Sequence, residues 1–154
     1  MRKKFDYYIF IDYSERLLGY CILDVDKVSK ILPLITRFRH YRDTKNRKLY
    51  LKNVNSTIKK NSIKSYFYKI KIRDLYFTPE IYSDIAEFLS KHKNCIIFIS
   101  IDDAQYDNFR KLVNILSGEK TVVKKESELK KGSPEYQLSL VIDNLLNIER
   151  RKKK

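Results

Sequence analysis

The chain carries acidic side chains at the ends of apolar, β-favouring runs that lie far apart in the sequence. One run ends in Asp12, and a second ends in the pair Asp102 and Asp103. Asp143 lies among leucines and isoleucines in a helix-like C-terminal segment. Carboxylates that converge repel one another, so proteins tolerate them mainly where a divalent cation such as Mg²⁺ or Mn²⁺ binds their hard oxygen atoms. The pattern predicts one shared site for a divalent metal ion.

Each of these residues also has a simpler interpretation. Strand alternation places Asp102 and Asp103 on opposite faces, so only one of them can face the site, and both stay candidates. Asp12 could cap a turn, Asp103 could cap the helix after it, and Asp143 could hydrogen-bond locally. Glu80, a further candidate, lies at a helix start, where the helix dipole alone explains an acidic residue. Their occurrence together on separate elements favours the shared site.

Hydrophobic periodicity and turn residues predict the elements that position these groups. Residues 5–12 and 17–23 predict two strands, and the link 13–16 permits only an antiparallel hairpin, because a parallel crossover needs about a dozen residues. After an insertion over 24–64, the pattern predicts alternating strands and helices at residues 65–73, 78–91, 95–102, 104–116, 121–123 and 133–150. This order predicts an α/β fold, a mixed sheet of about five strands flanked by helices.

The insertion has its own pattern. Apolar residues within 27–42 predict a helix that Pro33 kinks or splits. Residues 41–52 are basic and aromatic and predict a loop with a short strand, and a short helix is expected at 57–61. Near the C-terminus, residues 126–132 predict a charged loop.

Composition bounds the class of protein. The 154 residues include only three glycines and three prolines, which predicts a single folded domain over 1–154. No apolar run approaches the roughly 20 residues that cross a bilayer, and no signal-peptide core is present, so we expect a soluble cytoplasmic protein. Cys21 and Cys95 lie singly in apolar runs and predict two buried thiols. His40 and His92 are isolated and predict no histidine-based catalytic centre.

The net charge of +14 is concentrated in one region. Residues 26–74 hold 15 Lys or Arg against three Asp, and residues 150–154 form a basic tail. Such a field attracts polyanions, nucleic acid first and anionic membrane second, so we expect nucleic acid as the partner and no membrane. The alternative is a solvated basic surface whose tyrosines pack against the sheet. The residues predicted to bind phosphates or stack on bases are Arg37, Arg39, Tyr41, Arg42, Lys45, Arg47, Lys48, Tyr50 and Lys52.

In the order of its elements the chain resembles the ribonuclease H-like superfamily. That fold has three antiparallel strands, then a helix, a parallel fourth strand, a helix, a fifth strand and a closing helix. The superfamily carries its acidic site on strand one, the first helix, strand four and the last helix, and the corresponding residues here are Asp12, Glu80, Asp102 or Asp103, and Asp143. The sequence from Asp103 to Tyr106 is similar to the Asp-Ser-Gln that often follows strand four there.

Within the superfamily, the chain is most similar to an uncharacterised prokaryotic group. The first strand of that group ends in Asp-Glu-Ser-Gly, where this chain has Asp12-Tyr13-Ser14-Glu15. The last helix of the group contains Gln-x-Ala-Asp, where this chain has Leu140 in place of the Gln.

The resemblance implies a metal-dependent nuclease that hydrolyses phosphodiesters with Mg²⁺ or Mn²⁺. Two such ions roughly 3.5–4 Å apart can activate a water and stabilise the leaving oxygen. On this hypothesis Asp12 bridges both ions, Asp102 or Asp103 completes one site together with Glu80, and Asp143 completes the other. The alternatives are a non-catalytic nucleic-acid-binding protein of the same fold and a basic interaction subunit for an acidic partner. The sequence does not distinguish RNA, DNA and hybrid substrates, and it does not fix the oligomeric state.

Overall fold

The structure is a computed structural model that describes residues 4–117 and 121–152, apart from the side chains of residues 103, 104, 116 and 117. Its strands are β1 (Tyr7–Ser14), β2 (Leu17–Asp24), β3 (Lys69–Asp74), β4 (Cys95–Ile99) and β5 (Val122–Lys125). They form one five-stranded sheet in the order β3-β2-β1-β4-β5. β2 is antiparallel to β1 and β3, whereas β4 is parallel to β1 and β5. The predicted mixed α/β sheet is confirmed.

The first two strands form the predicted antiparallel hairpin. Ser14 pairs with Leu17, so the link consists of Glu15 and Arg16 only. Glu15 adopts a left-handed conformation with φ +52, which lets the chain reverse within two residues. β1 therefore runs two residues beyond the predicted end, and Asp12 lies inside a paired strand.

Helices cover both faces of the sheet. They are α1 (Val28–Ile31), α2 (Arg47–Lys60), α3 (Thr78–Lys91), α4 (Asp103–Ser117) and α5 (Pro134–Lys152). α3 and α4 pack on the face that carries Ile9 and Ile11, and α2 and α5 pack on the face that carries Phe10. The alternation of side chains along β1 thus divides the core into two layers. Asp12 shares the face of Phe10, under α5.

Helix α2 occupies residues 47–52, where we expected a short strand, so that part of the prediction is wrong, whereas residues 41–46 form a 3₁₀ turn and a loop. The short helix expected at 57–61 is the last part of α2, which ends at Lys60. Asn46 caps the helix by accepting a hydrogen bond from the Leu49 N–H at 3.2 Å. The buried residues Leu51, Val54 and Ile58 are spaced three and four apart, and they pack against the core on the α5 side. The helix was not predicted because its apolar face is narrow and most of the residues around that face are polar or charged.

The helix predicted over residues 27–42 breaks at Pro33, as expected, but no helix resumes over residues 35–40, so the second half of that prediction is wrong. A 3₁₀ turn at Val25–Lys27 leads into α1, and a second 3₁₀ turn at Leu32–Leu34 contains the proline. From there the chain runs without regular structure through residues 35–40 and passes over α5. We call residues 35–41 the strap.

Two element boundaries differ from the expectation in ways that affect the site. β4 ends at Ile99, three residues before Asp102. β5 extends to Lys125, two residues beyond the predicted end. The residues that directly follow β4 and β5 are therefore Ser100 and Glu126.

Gly19 explains how closely α5 approaches the sheet. A Cβ atom at this position would meet Ile72 at 3.0 Å and both Ile142 and Leu146 of α5 at 3.1 Å. Gly19 pairs with Asp12 across the hairpin. Because Gly19 has no side chain, α5 packs close to β1 and β2 beside Asp12.

Other expectations concern the cysteines and the membrane. Cys21 and Cys95 are buried free thiols, as predicted. Within the described ranges, no helix combines the length and the apolar character that a bilayer crossing requires.

Candidate active site

Three polar side chains lie in one row at the carboxyl ends of the parallel strands. Phe10 of β1 is level with Phe98 of β4, which is level with Lys124 of β5. Because side chains alternate along a strand, the next positions on the same face, two residues further, are Asp12, Ser100 and Glu126. The Ser100 N–H donates to the Ile11 carbonyl at 3.0 Å, which keeps the strand register for one more residue.

Asp143 enters the same site from above, on α5. Eleven consecutive residues of this helix, Leu138–Ile148, are buried, because the sheet lies on one side and the strap and α2 on the other. Asp12 and Asp143 are each only 5% exposed. The site therefore holds two buried carboxylates and the half-buried carboxylate of Glu126.

Burial raises the pKa of all three carboxylates, and neighbouring carboxylates of the site raise the pKa of Asp12 and Glu126 further. Burial raises the pKa of Asp12 well above its ordinary value, and the charges of Glu126 and Asp143 raise it further. Burial, and then the charge of Asp143, raises the pKa of Glu126. Burial raises the pKa of Asp143 to about 6. Mutual repulsion in a water-poor environment is the arrangement that a bound cation relieves.

Hydrogen bonds to Asp12 oppose this destabilisation in part. The Tyr13 N–H donates to Asp12 Oδ1 at 2.8 Å. Hydrogen bonding with the Ser100 side chain lowers the pKa of Asp12 and of Glu126. The single hydroxyl proton of Ser100 can be donated to only one of these two carboxylates at a time.

The strap contacts Asp143 directly. The Tyr41 N–H donates to Asp143 Oδ2 at 2.9 Å, which lowers the pKa of this carboxyl. His40 Nε2 lies 3.5 Å from Asp143 Oδ1. The Arg42 N–H donates to His40 Nδ1 at 3.4 Å, so Nδ1 is the acceptor nitrogen and the proton belongs on Nε2, facing Asp143. Burial, and then the charge of Arg42, lowers the pKa of His40. The imidazole that contacts Asp143 is therefore neutral at pH 7.

The structure places Asp102 and Glu80 away from Asp12 and Asp143. Asp102 is exposed and caps α4, accepting from the Gln105 N–H at 2.9 Å. The side chain of Asp103 lies outside the described part of the chain. Glu80 lies on α3, on the opposite face of the sheet from Asp12, and pairs with Arg73 at 3.3 Å and Lys71 at 3.5 Å. Of the acidic candidates with described side chains, the structure brings Asp12 and Asp143 together and does not bring Glu80 to them.

The predicted nucleic-acid-binding residues separate into two groups. Tyr41 is 7% exposed, with the guanidinium groups of Arg47 and Arg150 at 5.2 and 5.4 Å from its ring centre. Tyr50 uses its hydroxyl on the Arg39 backbone. Base stacking needs an open ring face, so the expected stacking role of Tyr41 is wrong. The basic residues of this set are all exposed: Arg37, Arg39, Arg42, Lys45, Arg47, Lys48 and Lys52.

Sequence reasoning missed Ser100, Glu126 and His40. A signal existed for Glu126, since it is an acidic residue directly after a parallel strand, as at the end of the second acidic run. Glu126 was not considered a site residue because residues 126–132 were expected to form a charged loop. No sequence signal pointed to His40, because its place beside Asp143 depends on the course of the strap over α5.

The carboxylate oxygens of the site are of the chemical type that binds a hard divalent cation, but they are not positioned to hold one together. Carboxylate oxygens of raised pKa are the groups that Mg²⁺ and Mn²⁺ bind. Among the described side chains, however, no group of three His, Cys, Asp or Glu is arranged so as to hold a metal ion. Asp143 is instead hydrogen-bonded to the strap. The residues that could hold a cation are Asp12, Glu126 and Asp143, and cation binding requires them to move closer together.

Comparisons with known proteins bear on the fold. No protein-family model matches the chain, and no curated protein matches it. Among solved structures, the chain is similar to the RNase HII of a structure described as "Structure of the PCNA:RNase HII complex from Archaeoglobus fulgidus", with a TM-score of 0.52 and 13% identity. The match covers 95% of this chain and 72% of that chain. The finer likeness to a prokaryotic group stays a prediction. At this identity the match establishes architecture, and the chain has a ribonuclease H-like fold.

Proposed function

We propose that the protein is a nuclease that hydrolyses nucleic-acid phosphodiesters with a divalent cation bound by Asp12, Glu126 and Asp143. One observation carries the proposal: Asp12 and Glu126 lie in one row at the carboxyl edge of a ribonuclease H-like sheet with Asp143 above them on α5, and the charges of Glu126 and Asp143 raise the pKa of Asp12. This set differs from the sequence hypothesis, in which Glu80 and Asp102 or Asp103 complete the site.

Each residue has a defined part in this proposal. A Mg²⁺ or Mn²⁺ ion held by these residues would supply Lewis-acid stabilisation of phosphate oxygens and would lower the pKa of a bound water. Asp12 is the rigid donor, since it lies within β1 and accepts from the Tyr13 N–H. Ser100 would stabilise the charged form of Asp12 or of Glu126 by hydrogen bonding, since this contact lowers the pKa of each. Asp143 would hold the cation in place of the hydrogen bond that it now accepts from the Tyr41 N–H.

A cleavage assay tests the proposal. Labelled RNA, DNA and hybrid substrates are incubated with Mg²⁺ or Mn²⁺ and the wild type, Asp12→Asn or Asp143→Asn. Loss of a mere outer-sphere partner of a metal ligand typically costs about 10–100-fold, so each variant should lose at least about 100-fold of the cleavage rate. Glu80→Gln is the matched control, because it removes a carboxylate on the other face of the sheet, and it should cleave like the wild type. Full activity in Asp12→Asn, or equal loss in Glu80→Gln, would contradict the proposed site.

A thermal melt provides a second readout that needs no substrate. A cation that binds the folded state alone raises the melting temperature, so Mn²⁺ should stabilise the wild type at pH 7.5. Asp143→Asn should lose most of this response and Glu80→Gln should keep it. An equal rise in all three proteins would mean that the cation binds elsewhere.

A non-catalytic nucleic-acid-binding protein of the same fold is the second candidate. The hydrogen bond from Tyr41 to Asp143 favours it, because this carboxylate already has a partner in the strap. Nucleic-acid binding without cleavage, together with no melting response to Mn²⁺, would support this candidate over the nuclease. Failure to bind nucleic acid at low salt would favour the third candidate, a basic subunit for an acidic protein partner.

A further inference from the structure

A groove runs between residues 33–39 and helix α2. It consists of two adjacent cavities of about 650 and 760 Å³ that share the lining residues Thr36, Arg37, Phe38, Tyr50 and Asn53. Single binding sites for small organic ligands typically enclose about 300–1,000 Å³, so the two together offer room for a ligand longer than one small molecule. We call this feature the α2 groove.

The rim of the α2 groove is cationic. Arg37, Arg39, Lys45 and Lys60 line it. The one carboxylate among its described lining residues is Asp43, and Lys131 lies 4.0 Å from that carboxylate. The groove therefore attracts a chain of negative charges, and it sits in the most basic part of the sequence.

The floor of the groove differs from the rim. Leu34, Phe38 and Val54 give it apolar surface, and Leu49 is 52% exposed at one end. Asn53 is exposed on α2 and borders both cavities. A positive rim, an apolar floor and amide groups together suit a polyanion whose apolar, hydrogen-bonding parts turn inward, as unpaired bases do. A duplex instead keeps its bases stacked inside and presents phosphates on a convex surface.

Hydrogen bonds hold the strap side of the groove in place. The Tyr50 hydroxyl accepts from the Arg39 N–H at 2.6 Å and donates to the Arg39 carbonyl at 2.8 Å. The Gln137 side chain of α5 donates to the Ile35 and Phe38 carbonyls at 2.6 and 3.0 Å. The groove is thus preformed, which reduces the entropic cost of binding.

The strap connects the groove with the carboxylates. Arg39 lines the groove, and the next two residues, His40 and Tyr41, contact Asp143. The groove therefore lies next to the candidate active site, with the strap between them.

From this arrangement we propose that the α2 groove binds a single-stranded segment of nucleic acid next to the phosphodiester that is cleaved. The rim residues contact phosphates, and the floor receives unpaired bases. The inference rests on the proposed function only for its position beside the cleaved bond. Binding in the groove is measured separately from cleavage.

Fluorescence anisotropy in EDTA tests the charge of the groove. The probes are labelled single strands of RNA and DNA of about 12 nucleotides, within the usual range of single-strand sites, and a blunt duplex of the same length. Arg37→Glu/Lys45→Glu should weaken single-strand binding by about tenfold or more and reduce the salt dependence of binding. Lys93→Glu/Lys111→Glu, an equal change of charge at exposed positions outside the groove, should weaken it much less.

A second variant tests the shape of the groove without a change of charge. Asn53→Phe fills the part that both cavities share and should weaken single-strand binding by about tenfold, whereas Asn108→Phe, exposed on α4, should not. Circular dichroism verifies the fold of each variant. Equal losses in the two charge variants, unchanged binding in Asn53→Phe, or an equal effect on the duplex would overturn the inference. Groove-dependent binding by a protein that does not cleave would support the groove and reject the nuclease.

Discussion

Asp143 shows how one side chain connects the catalytic proposal with the stability of the fold. It is buried on α5, its pKa is raised to about 6, and its two oxygens face the strap. A carboxyl group whose pKa is higher in the folded than in the unfolded chain binds its proton more tightly when folded. Its contribution to stability is therefore greatest below pH 4 and is lost as the pH rises through about 6.

The Asp143→Asn substitution should abolish this loss of stability at high pH, because asparagine does not titrate. The shift from 3.8 to about 6 corresponds to at most about 3 kcal/mol of unfolding free energy, at about 1.4 kcal/mol per pH unit. In EDTA, the variant should match the wild type near pH 4 and become more stable than it as the pH rises to 7. Urea unfolding across this range measures the difference.

His40 sets the control for that experiment. Because the pKa of His40 is lowered in the folded protein, its effect on stability has the opposite pH dependence to that of Asp143. Its contribution to stability is present above pH 6.5 and is lost as the pH falls. Because His40 Nε2 lies 3.5 Å from Asp143 Oδ1, the comparison is repeated with His40→Asn in both proteins, where no imidazole titrates at this position. A difference that does not depend on pH would mean that Asp143 does not titrate differently in the folded protein.

Helix α5 is the element that assembles the site and holds the strap. Asn144 donates to the Arg39 carbonyl at 3.1 Å, Gln137 donates to the carbonyls of Ile35 and Phe38, and Asp143 accepts from Tyr41. Residues 35–40 of the strap have no regular secondary structure, so these side chains satisfy its backbone groups in place of a helix or a sheet. The polar residues of a largely buried helix thereby determine the course of the segment beside it.

Gln137→Ala should loosen the strap. It leaves the Phe38 carbonyl without its side-chain donor, while the Ile35 carbonyl keeps only the Phe38 N–H at 3.1 Å, and this costs about 1–3 kcal/mol of unfolding free energy. Urea unfolding measures this loss, and faster hydrogen exchange at the Tyr41 N–H locates it. Gln105→Ala, exposed on α4, is the control and should change stability by less than about 0.5 kcal/mol. Unchanged exchange at Tyr41 would show that α5 does not hold the strap through Gln137.

At the scale of the whole molecule, charge is distributed unevenly. The net charge is +14, and most of the excess lies between β2 and β3 or within β3. The carboxylates of the site lie beside this cationic region. Ion pairs such as Arg150 with Glu15, at 2.7 Å, lie partly at the surface, where pairs contribute little, so repulsion among like charges is the larger long-range effect.

Salt should therefore stabilise the protein. Raising NaCl from about 20 to about 300 mM shortens the Debye length to below 10 Å, so the melting temperature should rise by a few degrees. Lys93→Glu/Lys111→Glu lowers the net charge by four units from +14, and its response should be smaller. A fall in melting temperature with salt would mean that attractive pairs dominate.

The order of the elements, the hairpin, the break at Pro33 and the buried thiols could be read from the sequence, because each depends on local periodicity or on one residue's geometry. Helix α2 could not, since its apolar stripe is short and becomes decisive only when α5 is there to pack against it. The sequence also placed Asp12 and Asp143 on buried elements, which is a local property.

Tertiary structure decided which groups join them. Glu126 and Ser100 belong to the site because β1, β4 and β5 are level at one edge, and the register between strands depends on contacts far apart in the chain. Asp102 instead caps α4, because β4 ends three residues earlier, and Glu80 lies on the other face of the sheet. The sequence by itself determined that carboxylates would be buried in this protein, and only the packing of α5 and the strap on the sheet decided which ones meet.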